Sequence, residues 1–500
     1  MNEKRCFMWV LAAVLVLVLS AGPAAAKEFQ LAGKPLSLYG FATQSMGLSL
    51  VGDKYDTEKD VQSAYWTLLM EGDYQPANTL KFYSQILFNG DWIYDLKHDD
   101  RSWGDKELSD SRDRLAVDNQ YWQIIKEAHV TWTPPQLLFR VGKQIVSWGE
   151  MDAFRIMDQI NPIDQRRGLG DVEWETTIIP IWLVRADYYL PITSAAIQDM
   201  GFEFIFNPNA SWIANQDILP GNDVTGIWAP NVPIALGPGM VAQLGSTRAA
   251  LDHPDAFDGS GFEYAVRMKG VFWDNIITLN YFYGLANSPV QVNVGPPDVT
   301  INPRGDMVLH LNQAGYYPLF RYVGATFSRD LSALRADFLG GVSPVIRLEG
   351  FYAFDNTFAT NLDRFVQCDE IRWGIGVDWK IRVPWINQAQ GITVGPQFYH
   401  QHIEDAPAEG LASYPDSDTY QVTLNLKTSY MNAKLTPSAF FLRDIRSRSE
   451  FMKFQLEYDR TNNWHYFVGV ILVEGSEQTT GMNVFDNKDN IYFKISYRWG

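Results

Sequence analysis

The sequence predicts an all-β fold: a transmembrane antiparallel up-and-down β-barrel of about 18 strands, with 16 as the alternative, whose lumen is constricted by one inserted loop. Three observations lead there. Segments of about ten residues alternate apolar and polar side chains, the signature of strands that meet lipid on one face only. The connections between them alternate short and long. Beyond the N-terminus no apolar run reaches the roughly 18 residues a spanning helix needs, although 14% of the 500 residues are aromatic.

The chain opens with Lys4 and Arg5, an apolar run from Phe7 to Leu19, and Ala24-Ala25-Ala26 before Lys27. This is the pattern of a secretory signal with a small-residue cleavage site. Residues 1–26 are expected to be removed and residues 27–500 to form one barrel domain in a Gram-negative outer membrane. Cys6 lies inside the signal and no Cys stands at the cleavage point, which argues against a lipid anchor. Cys368 is then the only thiol left, so no disulfide framework is expected. The formal net charge is -17, and losing Glu3, Lys4 and Arg5 removes a net +1 to leave -18. Nucleic acid is therefore excluded as a partner, because binding it needs a basic surface. The expected partners are outer-membrane lipid and lipopolysaccharide, the barrel-assembly machinery and a small solute. Acidic loops suit solubility, or divalent ions held beside lipopolysaccharide.

The clearest strand is Ile371 to Ile381, where Ile371, Trp373, Ile375, Val377, Trp379 and Ile381 alternate with Arg372, Gly374, Gly376, Asp378 and Lys380. Helical spacing cannot produce that pattern. Phe262 to Met268, Tyr420 to Leu426, Met452 to Tyr458 and Ile491 to Trp499 repeat it. Trp132, Trp182, Trp273, Trp379 and Trp499 stand near segment ends, where aromatic girdles sit at the membrane interfaces. The last strand ends on Trp499 and then Gly500, one residue beyond the terminal aromatic that barrel assembly commonly reads.

Short connections are expected at Gln75 to Asn78, Pro134 to Gln136, Pro191 to Ala195, Trp273 to Asn275, Pro384 to Gly391, Met431 to Ala433 and Arg460 to Asn463. Long polar ones are expected at Lys97 to Asp118, Met151 to Ile179, Asn207 to Ser260, Ala286 to Gly315, Asp355 to Gln367, Glu404 to Asp418 and Gly475 to Asn490. Short turns belong to the periplasmic side of such a barrel and long loops to the outside. Ser328 to Pro344 is either a long periplasmic connection or a hidden hairpin.

The organising stretch is Leu137 to Tyr189. A strand-like segment runs to Glu150, with Leu137, Phe139, Val141 and Ile145 alternating with Arg140, Gly142 and Gln144, and Lys143 breaking the alternation. A second strand, I-W-L-V-R-A-D-Y-Y, follows a polar insert from Met151 to Ile179. That insert is too long for a hairpin loop and reads as a functional loop, anchored by Phe154, Ile156, Met157 and Ile160. Asn161-Pro162 reads as the end of a short helical turn, because the residue before a proline is pushed out of helix.

Arg140-Val141-Gly142-Lys143-Gln144-Ile145-Val146-Ser147-Trp148-Gly149-Glu150, followed by Ile160-Asn161-Pro162-Ile163-Asp164, resembles the signature of an outer-membrane family, domain-of-unknown-function family 1302. Alginate-export barrels are a looser likeness. The resemblance implies an outer-membrane β-barrel and supplies no catalytic or ligand-binding residues.

If the apolar face of each strand meets lipid, the other lines the lumen. That rule points Arg140, Arg185, Arg267, Lys269, Arg347, Arg372, Lys380, Lys427, Lys453, Lys494 and Arg498 inward, with Asp187, Glu263, Glu349, Asp378 and Glu457. Rings of Arg and Lys favour anions, although opposite charges packed across a lumen also make structural ion-pair networks. The insert offers Asp152, Asp158, Asp164, Asp171, Glu173 and Glu175 with Arg155, Arg166 and Arg167. Folded inward, its acids would face the basic wall and narrow the passage through charge-assisted hydrogen bonds; a surface loop that pairs with nothing is the alternative. His400 and His402 share a strand face without a third metal ligand in the sequence nearby. No G-x-S-x-G or C-x-x-C-H occurs, so neither enzyme, metal nor cofactor is expected. The function predicted is a porin-like channel or transporter for small, anionic or carboxylated solutes. A barrel that only scaffolds a periplasmic or extracellular partner is the rival, and a soluble β-sandwich a third possibility.

Overall fold

The computed structural model describes residues 27–51, 61–93, 124–165, 173–208 (without 193 and 195), 217, 233–237, 240–301 (without 253 and 256), 307–335, 340–475 (without 415) and 481–500 (without 487). The expected signal in residues 1–26 and the connection expected at Lys97 to Asp118 lie outside the described residues.

The first strands are β1 (Lys27–Leu31), β2 (Lys34–Ser49), β3 (Val61–Ser63), β4 (Tyr65–Ala77), β5 (Leu80–Asp91), β6 (Ile125–Trp132), β7 (Leu137–Gln144), β8 (Ile181–Tyr189) and β9 (Ile197–Asn207). Next come β10 (Pro233–Gly237), β11 (Met240–Asp252), β12 (Glu263–Phe272), β13 (Asn275–Leu285), β14 (Val290–Asn293), β15 (Asp298–Ile301), β16 (Met307–Tyr316), β17 (Leu319–Asp330) and β18 (Val345–Ala359). The last are β19 (Phe365–Ile381), β20 (Ile392–Ile403), β21 (Asp418–Lys427), β22 (Leu435–Asp444), β23 (Glu450–Asp459), β24 (Trp464–Glu474) and β25 (Asn490–Trp499).

Twenty of these form one sheet. In it β1 only extends β2 as a hairpin, and β3 continues the line of β4 along β2. Eighteen spanning strands remain, each antiparallel to the next. The sheet closes where β2 pairs with β25 from Gly40 opposite Trp499 to Ser49 opposite Asn490. Closure leaves no edge strand in the wall, which is what lets a sheet cross lipid. The two-residue period decides the faces. On β12, Tyr264 and Val266 are exposed while Glu263, Ala265 and Arg267 are buried. Leu279 and Tyr281 on β13, Val323 on β17 and Phe493 and Ile495 on β25 continue the exposed outer set. Such a continuous apolar exterior is stable only against hydrocarbon. Trp132 and Trp273 stand exposed at the short-turn rim, and Trp379 donates to Val342 O at 3.1 Å on the same rim.

Short turns and long loops alternate as expected, with three corrections. First, Asp355 to Gln367 is no loop: β18 runs to Ala359 and β19 starts at Phe365, leaving a turn of residues 360–364. The polar residues there pair across the strands, past a bulge between Ala353 and Asn356 that holds Asp355 at φ 48°. Second, the long stretches Asn207 to Ser260 and Ala286 to Gly315 contain strands. There β10, β11, β14, β15 and β16 form a separate sheet in which β11 and β16 run parallel. Third, β7 ends at Gln144 rather than continuing towards Glu150. Ser328 to Pro344 is a connection with a 3-10 turn at Ser332–Leu334, and no further hairpin occurs among its described residues.

Candidate functional site

The chain leaves the wall after Gln144 because a side chain from further on takes over its backbone hydrogen bonds. Asn161, 1% exposed, accepts from Val146 N at 2.7 Å and donates to Gln144 O at 3.2 Å and Ile179 O at 3.0 Å. It thereby ties the outgoing limb to the returning one. The expected helical turn before Pro162 does not form, and residues 151–160 are irregular. Irregular backbone buried in protein must find partners for its polar groups, and local side chains supply them. Asp158 Oδ1 accepts from Trp148 N (2.6 Å), Gly149 N (2.9 Å) and Ser147 Oγ (3.1 Å). Arg155 Nη2 donates to Asp158 O (2.7 Å) and Asn161 O (2.6 Å). Burial pulls the Arg155 guanidinium below its ordinary pKa, against the opposing pull of Asp158 and Asp217. The returning limb is held by Lys126 Nζ on Thr176 O (2.8 Å) and Ile178 O (3.0 Å). Lys143, which broke the alternation, is buried and donates to Ile125 O at 2.9 Å.

Between these ties the segment turns into the barrel. Val146, Trp148, Met151, Phe154, Ile156, Met157 and Ile160 form one buried cluster with inward residues of β8, β9, β12, β13, β17 and β18, among them Leu183, Ile205, Ala265, Phe282, Tyr322 and Phe351. Phe154 stacks on Tyr399 of β20 with centroids 5.0 Å apart, and Tyr322 Oη donates to Met157 O at 3.3 Å. Wall glycines make the approach possible. A Cβ at Gly324 would lie 2.7 Å from Met157 Cε, and one at Gly374 would lie 2.8 Å from Ile156 Cδ1.

Polar contacts surround that apolar footprint. Trp148 Nε1 donates to Glu203 at 3.0 Å, under the Arg267 guanidinium 5.9 Å from its ring. Arg185 pairs with Asp187 at 3.0 Å and with Glu203 at 3.4 Å. Arg347 bridges Asp152 of the insert and Asp378 of β19, each at 2.7 Å, while Glu349 accepts Glu150 N at 2.7 Å. Glu173 reaches Lys494 at 3.0 Å.

The residues singled out from sequence therefore divide. Asp152 and Glu173 meet bases on the wall. Asp158 and Arg155 instead brace the insert internally, because the irregular backbone supplies nearer partners. Arg140 donates to Thr131 Oγ1 at 3.0 Å and lies opposite Arg185 in register. Arg372 pairs with Glu370 at 2.5 Å and sits 5.3 Å above the Phe351 ring. Lys269 and Lys380 are exposed near the short-turn ends of β12 and β19. Arg166, Arg167 and Asp171 lie outside the described residues, as do the side chain of Glu175 and its contacts. His400 and His402 do have a third group nearby: Asp418 Oδ1 lies 2.9 Å from both, and Trp373 Nε1 donates to His400 Nδ1 at 3.0 Å. Glu457, Asp459 and His465 are the one group among the described residues whose donor atoms all lie within 4.8 Å of one another.

Above the segment, on the long-loop side, is a cavity of about 600 Å³ lined by Arg155, Gln159, Asp217, Phe320, Arg372 and Tyr414 among others. Asp217, from a long loop, accepts Ile163 N at 2.7 Å and Ser288 Oγ at 2.6 Å and so ties loop to insert. Strand parity places Glu203 and Glu370 on the inner face. The sequence marked Asn161 only as part of the family-like motif and as the end of a turn, not as the tie between the two limbs, and nothing in the pattern marked Asp217.

No curated protein matches the chain by sequence. Among solved structures it is similar to OccK3 (OpdO) of Pseudomonas aeruginosa, at 8% identity and a TM-score of 0.45, covering 93% of this chain and 95% of that one. It is also similar to OccK5 (OpdH) of the same organism, at 9% identity and a TM-score of 0.45, covering 93% and 98%. A third similar structure is the outer membrane channel DcaP of Acinetobacter baumannii, at 10% identity and a TM-score of 0.41, covering 95% and 100%. The family model described as "Protein of unknown function (DUF1302)" matches residues 8–499, nearly the full length, and the chain belongs to that family.

Proposed function

We propose that the chain is an outer-membrane, porin-like channel through which small anionic or carboxylated solutes pass a barrel narrowed by its own inner segment. The observation that carries this reading is the division of the inner wall. The segment seats mainly on the apolar arc from β8 to β18. Much of the remaining inner wall carries charged side chains, among them Glu370, Arg372, Lys453, Glu457 and Lys494, beside a smaller apolar cluster of Phe451, Ile471, Val473 and Tyr492. Near the short-turn mouth, the inward-facing Lys269, Lys380, Lys427 and Arg498 are exposed, with Lys81 beside Asp73. Acids face inward near the same rim as well, but Asp73 is paired with Lys81, Asp378 with Arg347 and Asp459 with His465. Lys269, Lys380 and Lys427, by contrast, make no ion pair among the described residues, so the charge left uncompensated there is mainly basic. Fixed positive charge in a narrow, low-dielectric passage concentrates anions and repels cations. In this reading Arg140, Arg185, Arg267 and Arg372 line the path, and Arg166, Arg167 and Asp171 belong to the part of the insert that borders it. A cleaved signal in residues 1–26 and insertion of residues 27–500 by the barrel-assembly machinery, among lipid and lipopolysaccharide, accompany it.

The test is conductance of the purified protein in planar bilayers under a KCl gradient. Stepwise conductance with a reversal potential displaced towards that of chloride is expected. A displacement towards potassium would overturn the anion preference. No conductance at all would replace the channel with the scaffold.

A further inference from the structure

We propose that the 600 Å³ cavity above the inner segment is a binding site for a monocarboxylate with a flat, partly apolar body, occupied before the solute passes the constriction. The proposal rests on the channel reading for its role in transport, and on the cavity alone for binding. Its volume falls in the range of small-molecule sites, which are mostly apolar with a few convergent polar groups.

Two guanidiniums, those of Arg155 and Arg372, reach it, and the acids close to them are already engaged. Both carboxylate oxygens of Asp217 accept hydrogen bonds, from Ile163 N and Ser288 Oγ. Glu370 is bonded to Arg372 Nε, Gln401 and Asn356. The terminal nitrogens of Arg372, by contrast, make no hydrogen bond among the described residues. A planar fork with free N–H groups matches a carboxylate bidentately. Arg155 is held in place by its two carbonyl acceptors, so it presents its charge without first having to be ordered. The remaining lining explains the body of the ligand. Phe320, Phe358 and Tyr414 offer ring surface, and Phe358 and Tyr414 meet edge to face at 5.7 Å. Asn287 and Gln291 offer neutral partners for a hydroxyl or carbonyl.

The test uses the full-length protein in detergent and two probes of one shape, 4-hydroxybenzoate and the neutral 4-hydroxybenzamide, titrated calorimetrically. The acid is expected to bind with a Kd of about 1 mM or tighter and the amide about tenfold more weakly. Arg372→Gln should erase that difference by weakening only the acid, and Arg372→Lys should restore part of it. Because Arg372 also pairs with Glu370, Ser413→Trp serves as a second variant: it fills the cavity from an exposed loop residue and should abolish binding of both probes. Equal affinity for acid and amide, no binding of either, or acid binding unchanged in Arg372→Gln or in Ser413→Trp would each overturn the site. Binding by a protein that does not conduct would instead refute the channel and leave the site standing.

Discussion

Replacing Asn161 by Leu tests whether the inner segment is held by its stem or by its apolar face. Leu keeps the volume and removes three hydrogen bonds, to Val146 N, Gln144 O and Ile179 O. A buried backbone group left unpaired costs about 1 to 3 kcal/mol, so three cost about 3 to 9 kcal/mol unless water enters. Against this stand Trp148, Phe154, Ile156, Met157 and Ile160, between 0% and 8% exposed. Each contributes about 1.5 to 3 kcal/mol on burial, about 8 to 15 kcal/mol together. The apolar face wins. The segment is therefore expected to stay inside while its stem frays. The variant should migrate on gels before boiling as the parent does, become cleavable by protease near residues 145–150 and 178–180, and show noisier single-channel current. Unchanged cleavage and noise would refute the role given to Asn161. Loss of the heat-modifiable form would show that the stem supports the barrel itself, and the local reasoning would fail.

Reversing the apolar face should give the opposite result: Ile156→Asp with Met157→Asp places two carboxylates against Phe282, Tyr322 and Phe351, and single-channel conductance should rise as the segment is expelled. An unchanged conductance would place the segment outside the permeation path. Ile375→Arg, on the lipid face in the middle of β19, costs about 2 to 4 kcal/mol near the bilayer midplane, and the heat-modifiable form should fall well below parental yield in outer-membrane fractions; equal yield would mean the strand does not cross lipid. Gly324→Val puts side-chain carbons where Met157 Cε and Gly350 O already lie within 2.8 Å; overpacking of this kind costs about 1 to 3 kcal/mol, and thermal unfolding should shift down accordingly, with no shift meaning that the segment does not rest on that strand. Arg166→Glu with Arg167→Glu should move the reversal potential towards potassium with little change in conductance, an effect that shrinks at 1 M salt, where screening acts over about 3 Å; a salt-independent shift would point to a change of shape instead.

Strand faces were legible because one side chain in two must satisfy lipid: the parity at Ile371 to Ile381 puts Gly374 and Gly376 inside, where Ile156 and Met151 touch them. The anchors Phe154, Ile156, Met157 and Ile160 were legible as apolar residues in an otherwise polar loop. The end of β7 was not, because Ile145 and Val146 prolong its apolar character, and the decision lies with a side chain seventeen positions beyond Gln144. Nor was the apolar arc of the inner wall, since Phe282, Tyr322 and Phe351 lie on strands whose outer faces are equally apolar. The acids of the insert were legible as charges but not as partners: Asp158 could serve a wall base or the backbone beside it, and only the irregular path of residues 147–149 favours the backbone.

The small sheet outside the wall bears on how the long-loop side meets other molecules. Its parallel pair joins β11 to β16, from Gln243 opposite Val308 to Asp252 opposite Tyr316, although the whole β12–β13 hairpin lies between them in the chain. A surface stitched from two distant stretches exists only in the folded protein. An antibody or phage receptor-binding protein that recognises it would see a discontinuous epitope, which peptides copied from either stretch alone would not mimic. A proteolytic nick in one stretch would leave the cut piece paired to the other, so the epitope would survive cleavage and disappear only on denaturation.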